Sequence, residues 1–115
     1  MNYAKYNIDN YNISISSKKN KIVIMVINII NSTKYNIILD KCDDTSCYSN
    51  NENNIGLDLK TDIYDFLINC LEKKPYYNII INNKEYEDDK DQLHLTFGFK
   101  YEMFDFEYTI ELSQD

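Results

Sequence analysis

Cysteine and histidine are the first side chains in this sequence that could perform chemistry. Cys42 and Cys47 have four residues between them in an acidic segment, and Cys70 and His94 follow far along the chain. A structural zinc site needs four Cys or His ligands, usually in closely spaced pairs. These four residues do not form such pairs, so we expect free thiols and no bound metal. A labile disulfide between Cys42 and Cys47 under oxidising conditions is the alternative.

His94 is the only histidine and a candidate for hydrolytic chemistry. Catalysis would require a nucleophile or a carboxylate within hydrogen-bond reach, and nothing near His94 in the sequence supplies one. We therefore favour a solvated strand histidine. A small ligand-binding or hydrolytic domain, with Asp or Glu partners reaching His94 across a sheet, is kept as a further alternative.

Two groups of carboxylates could bind a cation or act as acid and base. They are Glu87, Asp88, Asp89 and Asp91 in one group, and Asp105, Glu107 and Glu111 in the other. The first group lacks the alternating ligands and central glycine of a calcium loop. The second lies along one face of a predicted strand, where it would repel other sheet edges. Nucleophile-elbow, zinc-protease, Walker and dinucleotide motifs do not occur. We expect a chain that is not an enzyme and that uses no cofactor.

The end of the chain, Leu93 to Leu112, predicts the centre of the fold. Apolar and polar residues alternate there, which places successive side chains on opposite faces of a strand. The pattern predicts antiparallel strands at 92–101 and 104–113. The following aromatic residues are expected to face the core: Phe97, Phe99, Tyr101, Phe104, Phe106 and Tyr108.

The rest of the chain predicts strands that cover this apolar face and one helix. Alternation and β-branched runs predict strands at 11–17, 21–31, 34–40 and 76–86, and residues 1–10 are a leader or a short edge strand. The run 21–31 is typical of a central strand covered on both faces. A loop at 41–57 precedes a helix at 61–74, with Thr61 as N-cap and Lys73 and Lys74 before Pro75. Its apolar stripe consists of Ile63, Phe66, Leu67, Cys70 and Leu71.

This element order predicts an α+β fold. We expect an antiparallel β-sandwich or half-barrel, in the order βββ-α-βββ, with the amphipathic helix packed on the sheet. A chain of 115 residues is predicted to form a single domain, 1–115.

Composition limits the partners. The net charge is −7 and all twelve basic residues are lysine, which argues against nucleic acid and against anionic membranes. The N-terminus lacks the apolar core of a signal peptide, and no apolar run approaches the ~20 residues of a membrane span. We expect a soluble protein of the cytoplasm that binds a protein partner or a copy of itself.

Tyrosine is more abundant than solvation requires, with eleven in the chain. Exposed tyrosine is common at protein interfaces because the ring buries area and the hydroxyl keeps a hydrogen bond. Tyr3, Tyr6, Tyr48 and Tyr76 lie in polar stretches or off the core-facing positions, so we predict that they are interaction residues. The coding bias of an AT-rich genome is the alternative explanation.

The helix region carries the pattern D-x-Y-x-x-L-x-N-C-x-x-K in Asp62, Tyr64, Leu67, Asn69, Cys70 and Lys73. With this pattern the chain resembles a group of uncharacterised proteins of giant, mimivirus-like DNA viruses. In that group a strand-rich head precedes a coiled coil. More distantly, the layout is similar to the heads of the centriolar cartwheel and DNA end-joining scaffolds, which dimerise or polymerise through the head.

The resemblance implies a non-enzymatic interaction or self-assembly module, with a homodimer as one form, in host cytoplasm or virion. No heptad region precedes Asp115, so we expect assembly to come from the head itself. A host-modulating effector that binds a host protein through an exposed sheet edge is the alternative.

Overall fold

The computed structural model describes residues 2–40, 63–84 and 92–115. Within these ranges the elements are β1 (Asn2–Ile8), β2 (Tyr11–Lys18), β3 (Lys21–Asn28), β4 (Lys34–Asp40), α1 (Ile63–Leu71), β5 (Tyr77–Lys84), β6 (Gln92–Tyr101) and β7 (Phe104–Gln114). The strands follow the order β1-β2-β3-β4-β7-β6-β5 in one sheet. The predicted α+β class, a mostly antiparallel sheet with one helix, is confirmed. No helix in these ranges is long and apolar enough to cross a membrane.

The chain divides into two compact units, which are described separately. One consists of residues 1–41, 82–94 and 111–115, and the other of residues 42–81 and 95–110. The single domain expected from chain length stays a prediction.

In the first unit, β1 to β4 form a meander in which each strand pairs with the next. Ile8 pairs with Tyr11 and Lys18 with Lys21 across two-residue turns. Of the two predictions for residues 1–10, a leader or a short edge strand, the structure therefore shows the edge strand. One face is fully buried and consists of Ile13, Ile15, Ile22, Ile24 and Val26, with Tyr35 beside them. Period-two alternation places these side chains together because the strands are in register.

The prediction that 21–31 is covered on both faces is wrong for the described part of the chain. Met25 is 44% exposed, and Val23 and Ile27 are half-buried. An antiparallel meander commonly packs only one of its faces against the core. A continuous apolar run does not show whether a strand is covered on one face or on both.

Strand β3 also ends three residues earlier than predicted, at Asn28. The Asn28 N–H donates to Thr33 O at 2.9 Å, and its carbonyl accepts from the Ser32 N–H at 2.8 Å. Its side-chain Oδ1 accepts from the Ile30 N–H at 3.0 Å. Asparagine side chains stabilise turns in this way, so Ile29 and Ile30 belong to the turn and are exposed.

In the second unit, the helix packs its predicted stripe against the strands. Ile63, Phe66, Leu67, Cys70 and Leu71 are all buried, as predicted, and Tyr64 is buried with them. The Phe66 ring meets Phe106 edge-on at a centroid distance of 5.2 Å and lies 5.9 Å from Tyr77. The Cys70 thiol donates to Gly98 O at 3.5 Å.

The helix ends at Leu71, before the predicted Lys74. Lys73 has φ 53°, its N–H donates to Cys70 O, and the Lys74 N–H donates to Asn69 O, both at 3.1 Å. This pair of bonds around a left-handed residue is a Schellman motif, in which glycine is the usual residue. The predicted N-cap Thr61 lies outside the described residues, as does the loop 41–57.

Three aromatic side chains that were predicted to face the core are less buried than expected. Phe97 and Phe106 are fully buried, as predicted, but Tyr101 is 41% exposed and Phe99 is half-buried, like Tyr108. Tyr101 is the last residue of β6 and lies next to the exposed turn Glu102–Met103, so it is covered on one side only. The side chain of Phe104 lies outside the described residues.

Candidate protein-interaction surfaces

An aromatic cluster lies at the start of β5 and the end of β6, within the second unit. We call Tyr76, Tyr77, Phe99 and Tyr101 the tyrosine cluster. Tyr76 meets Tyr101 at a centroid distance of 4.7 Å and Phe99 at 6.5 Å, and Tyr77 meets Phe99 at 4.9 Å. Tilted and edge-to-face contacts at these distances are favourable for aromatic rings.

The tyrosine cluster is connected to the core. Tyr77 contacts Phe66, which in turn contacts the fully buried Phe106. A continuous series of ring contacts therefore leads from the interior to Tyr76 and Tyr101 at the surface. Side chains held in this way lose little conformational entropy when they bind a partner.

The backbone at Tyr76 is held in an uncommon conformation. Its φ is 74°, which is rare for a bulky side chain and costs on the order of 1–3 kcal/mol. The Tyr76 carbonyl accepts from the Lys100 N–H at 2.9 Å, and the Tyr77 N–H donates to Lys74 O at 2.9 Å. These bonds fix Tyr76 beside the end of β6, where the residue is 58% exposed.

Another exposed apolar residue, Met103, lies close in sequence to Tyr101 of the tyrosine cluster. Met103, in the turn after Tyr101, is 84% exposed. Isolated exposed apolar side chains are ordinary, but a contiguous group rimmed by polar residues marks an interaction site. Tyr76 and Tyr101, whose rings are in contact, are therefore the best candidate contact surface of this unit, and Met103 is a further exposed apolar side chain two residues after Tyr101.

The first unit offers a different kind of surface, the edge of its sheet. Strand β1 is the last strand on one side of the strand order. Tyr3, Lys5 and Asn7 are exposed along it. A cavity of about 360 Å³ opens beside it, lined by Lys5, Tyr6, Asn7 and Asn12. We call β1 with this cavity the β1 edge.

The predicted interaction residues are distributed over these surfaces. Tyr76 belongs to the tyrosine cluster, Tyr3 is exposed on β1, and Tyr6 is half-buried there. Tyr48 lies outside the described residues. Sequence reasoning missed Tyr101 and Met103. The one signal in the sequence was that Tyr101 and Met103 lie at the end of a predicted strand and in the turn after it. At such positions the alternation of apolar and polar residues no longer predicts which side chains are buried.

The residues considered for chemistry lie only partly within the described ranges. His94 is half-buried, and its Nε2 is shielded from solvent with no hydrogen-bond partner among the described residues. Within the described ranges, no three His, Cys, Asp or Glu side chains lie close enough to hold a metal ion. Asp105 is half-buried, and Glu107 and Glu111 are exposed. The cysteine pair Cys42 and Cys47 and the acidic group 87–91 lie outside the described residues.

Cys70 is fully buried, which disfavours its ionised form. Burial raises the pKa of the Cys70 thiol to about 12, although backbone hydrogen bonds with Gly98 and Asn78 act in the opposite direction. Burial, with Asp65 nearby, also raises the pKa of the Tyr64 hydroxyl. A thiol that stays protonated is a poor nucleophile and a poor metal ligand, so Cys70 acts here as a core residue.

Comparisons with known proteins agree with the architecture. No protein-family model matches the chain, and no curated protein matches it. Among solved structures, the head domain of human CCDC61 superposes with a TM-score of 0.74, covering 100% of both chains at 9% sequence identity. The chain therefore shares the fold of a head domain, the class of domain to which the sequence layout was similar.

Proposed function

We propose that this chain is a non-enzymatic protein–protein interaction module that self-associates or binds a larger scaffold. The tyrosine cluster is the observation that carries the proposal, because it presents exposed tyrosines on a rigid aromatic support. Tyrosine and methionine are enriched in the centres of protein interfaces. The fold shared with a head domain supports the same role.

The composition supports a source in an AT-rich genome, that of a large DNA virus or, as the alternative, of a protist. Asparagine, isoleucine, lysine and tyrosine dominate the sequence, as expected from an AT-rich genome. In the viral setting the module would act in host cytoplasm or in the virion, with a homodimer as its simplest assembly.

Light scattering over a range of concentrations tests self-association. The wild-type chain is expected to gain mass as concentration rises, and Tyr76→Ser with Tyr101→Ser is expected to abolish the gain. Ile30→Ser is the matched control, because Ile30 is 75% exposed but lies in the β3–β4 turn. A chain that stays monomeric at high concentration and recovers no partner from native or infected lysate would refute the proposal.

A second candidate function is a host-modulating effector, and the β1 edge favours it. An exposed sheet edge can accept an extended segment of another protein as an additional strand. Pull-down from infected lysate separates the two candidates, since the effector would recover a host protein and the assembly module a viral one.

A further inference from the structure

The backbone of β1 has one row of hydrogen-bonding groups facing away from the sheet. The register runs without a break from Asn2↔Ser17 to Ile8↔Tyr11. In an antiparallel pair the residues that flank a two-residue turn are hydrogen-bonded to each other, and bonded pairs then alternate. Every second residue from Ile8 back to Asn2 therefore bonds to β2. The N–H and C=O groups of Tyr3, Lys5 and Asn7 point outward, where no described strand pairs with them.

The same three residues place their side chains on the half-exposed face of the meander. Tyr3 lies beside Ser16, Lys5 beside Ser14, and Asn7 beside Asn12. A strand added along β1 would continue these cross-strand rows, because side chains of directly opposite residues project to the same face. The residue opposite Lys5 or Asn7 would then lie beside the cavity.

The cavity presents hydrogen-bond donors. Lys5 supplies an ammonium group, and Asn7 and Asn12 supply side-chain amides. An ammonium group has donors only, and an amide can donate two bonds. A carboxylate is an acceptor that all three side chains can bind, and its bond to a cation is stronger than one between neutral groups.

Local charge favours the same ligand. Residues 2–40 contain five lysines and two aspartates, a local charge of +3 in a chain of −7. An acidic segment that pairs with β1 therefore meets more basic than acidic side chains on the strands of the meander.

Charge also disfavours a second copy of β1 at this position. In an antiparallel pair of two β1 strands, the residues with outward-facing backbone groups must bond to one another. The register in which Tyr3, Lys5 and Asn7 all form such bonds places Lys5 opposite Lys5 of the second copy. Like charges directly opposite each other destabilise a strand pair. Edge lysines are a common device against such pairing.

We propose that the β1 edge accepts an extended acidic peptide segment, which pairs with Tyr3, Lys5 and Asn7 and places an Asp or Glu side chain against Lys5, Asn7 and Asn12. The inference rests on the binding function proposed above, in its strand-addition form, and names the chemistry of the partner.

Peptide titration of the whole chain tests the inference. The probe is a blocked seven-residue peptide of alternating Thr and Val with one central Glu, compared with Gln and Lys versions. Amide NMR shifts of Tyr3, Lys5 and Asn7 report the site, and fluorescence anisotropy reports the affinity. The Gln peptide is expected to bind about fivefold more weakly than the Glu peptide, as for a partly exposed ion pair.

Three variants examine the chemistry. Lys5→Gln is expected to remove the preference for Glu, and Lys5→Glu to transfer it to the Lys peptide. Asn7→Pro removes one outward N–H without breaking a bond to β2, so it is expected to abolish binding of all three peptides while the fold is kept. Lys34→Gln is the matched control, because Lys34 is an exposed lysine on β4 of the same unit, and it is expected to bind like wild type.

The outcomes separate this inference from the self-association proposal. Equal affinity for the Glu, Gln and Lys peptides would overturn the acidic preference, and unchanged amide shifts in β1 would overturn the strand addition itself. A wild-type oligomer that Asn7→Pro converts to monomer would show that the edge binds a second copy, which also overturns it. Peptide binding that survives Tyr76→Ser with Tyr101→Ser supports the inference, whether or not those two substitutions abolish self-association.

Discussion

Replacing Phe66 by alanine is the most direct test of how the helix is held. The side chain is fully buried, and its ring contacts Phe106 and Tyr77 at 5.2 and 5.9 Å. Truncating a buried Phe to Ala costs about 3–5 kcal/mol. A chain of 115 residues has a free energy of unfolding of roughly 6–17 kcal/mol. Phe66→Ala should therefore remove a large share of it.

Urea unfolding followed by far-UV circular dichroism measures this loss, since the chain has no tryptophan to report by fluorescence. Tyr76→Ala is the matched control. It also removes ring contacts, but from an exposed position, so its cost should stay near 1 kcal/mol. Phe66→Leu should fall between the two. If Phe66→Ala unfolds within about 1 kcal/mol of wild type with an unchanged denaturant slope, the helix is not anchored through this ring.

Three further predictions concern the turn after β3, the helix end and the buried thiol. Asn28→Ala should lower the free energy of unfolding by about 1–2 kcal/mol, since the Ile30 N–H loses its acceptor; an unchanged urea midpoint would contradict this. Lys73→Gly should raise the free energy of unfolding by up to about 1 kcal/mol, because φ 53° is unstrained for glycine, and a lower midpoint would show that Lys73 has another role. Burial raises the pKa of the Cys70 thiol from 9.0 to about 12. As pH rises, the unfolded chain therefore loses this proton before the folded chain does. The contribution of the Cys70 thiol to the free energy of unfolding is complete below pH 9 and falls as pH rises towards 12. The urea midpoint difference between wild type and Cys70→Ala should therefore shrink between pH 8 and pH 10, and a constant difference would refute it.

The closing strands and the helix stripe could be predicted from the sequence because periodicity reports burial directly. Leu93, Leu95 and Phe97 alternate with polar residues and are fully buried, and the spacing of Phe66 and Cys70 places both on the packed side of the helix. These features depend on neighbours within a few residues.

The errors occur where the pattern is compatible with two structures. The apolar run of β3 does not distinguish one covered face from two, so Met25 was misassigned. Lys73 gives no glycine signal for a left-handed helix end. Tyr101 keeps the alternation of β6 but lies where the strand meets a turn, so its ring is only partly covered.

The candidate surfaces were less predictable because they depend on long-range pairing. Polar surroundings in the sequence predict exposure for Tyr3, Tyr6 and Tyr76, of which Tyr3 and Tyr76 are exposed and Tyr6 is half-buried. The partnership of Tyr76 with Tyr101 joins residues far apart in the chain. The open side of β1 follows from the strand order, which alternation within single strands does not specify.

The pairing of β4 with β7 has a consequence for biosynthesis. Tyr35 pairs with Gln114 and Asn36 with Ser113, whereas the meander closes through neighbouring hairpins. Local hairpins form within microseconds, while long-range closure must wait for the distant segment and pay its loop entropy. During translation the outer side of β4 therefore stays unpaired until Ser113 and Gln114 have left the ribosome, and an unpaired strand edge of this kind is prone to misassembly and to chaperone capture.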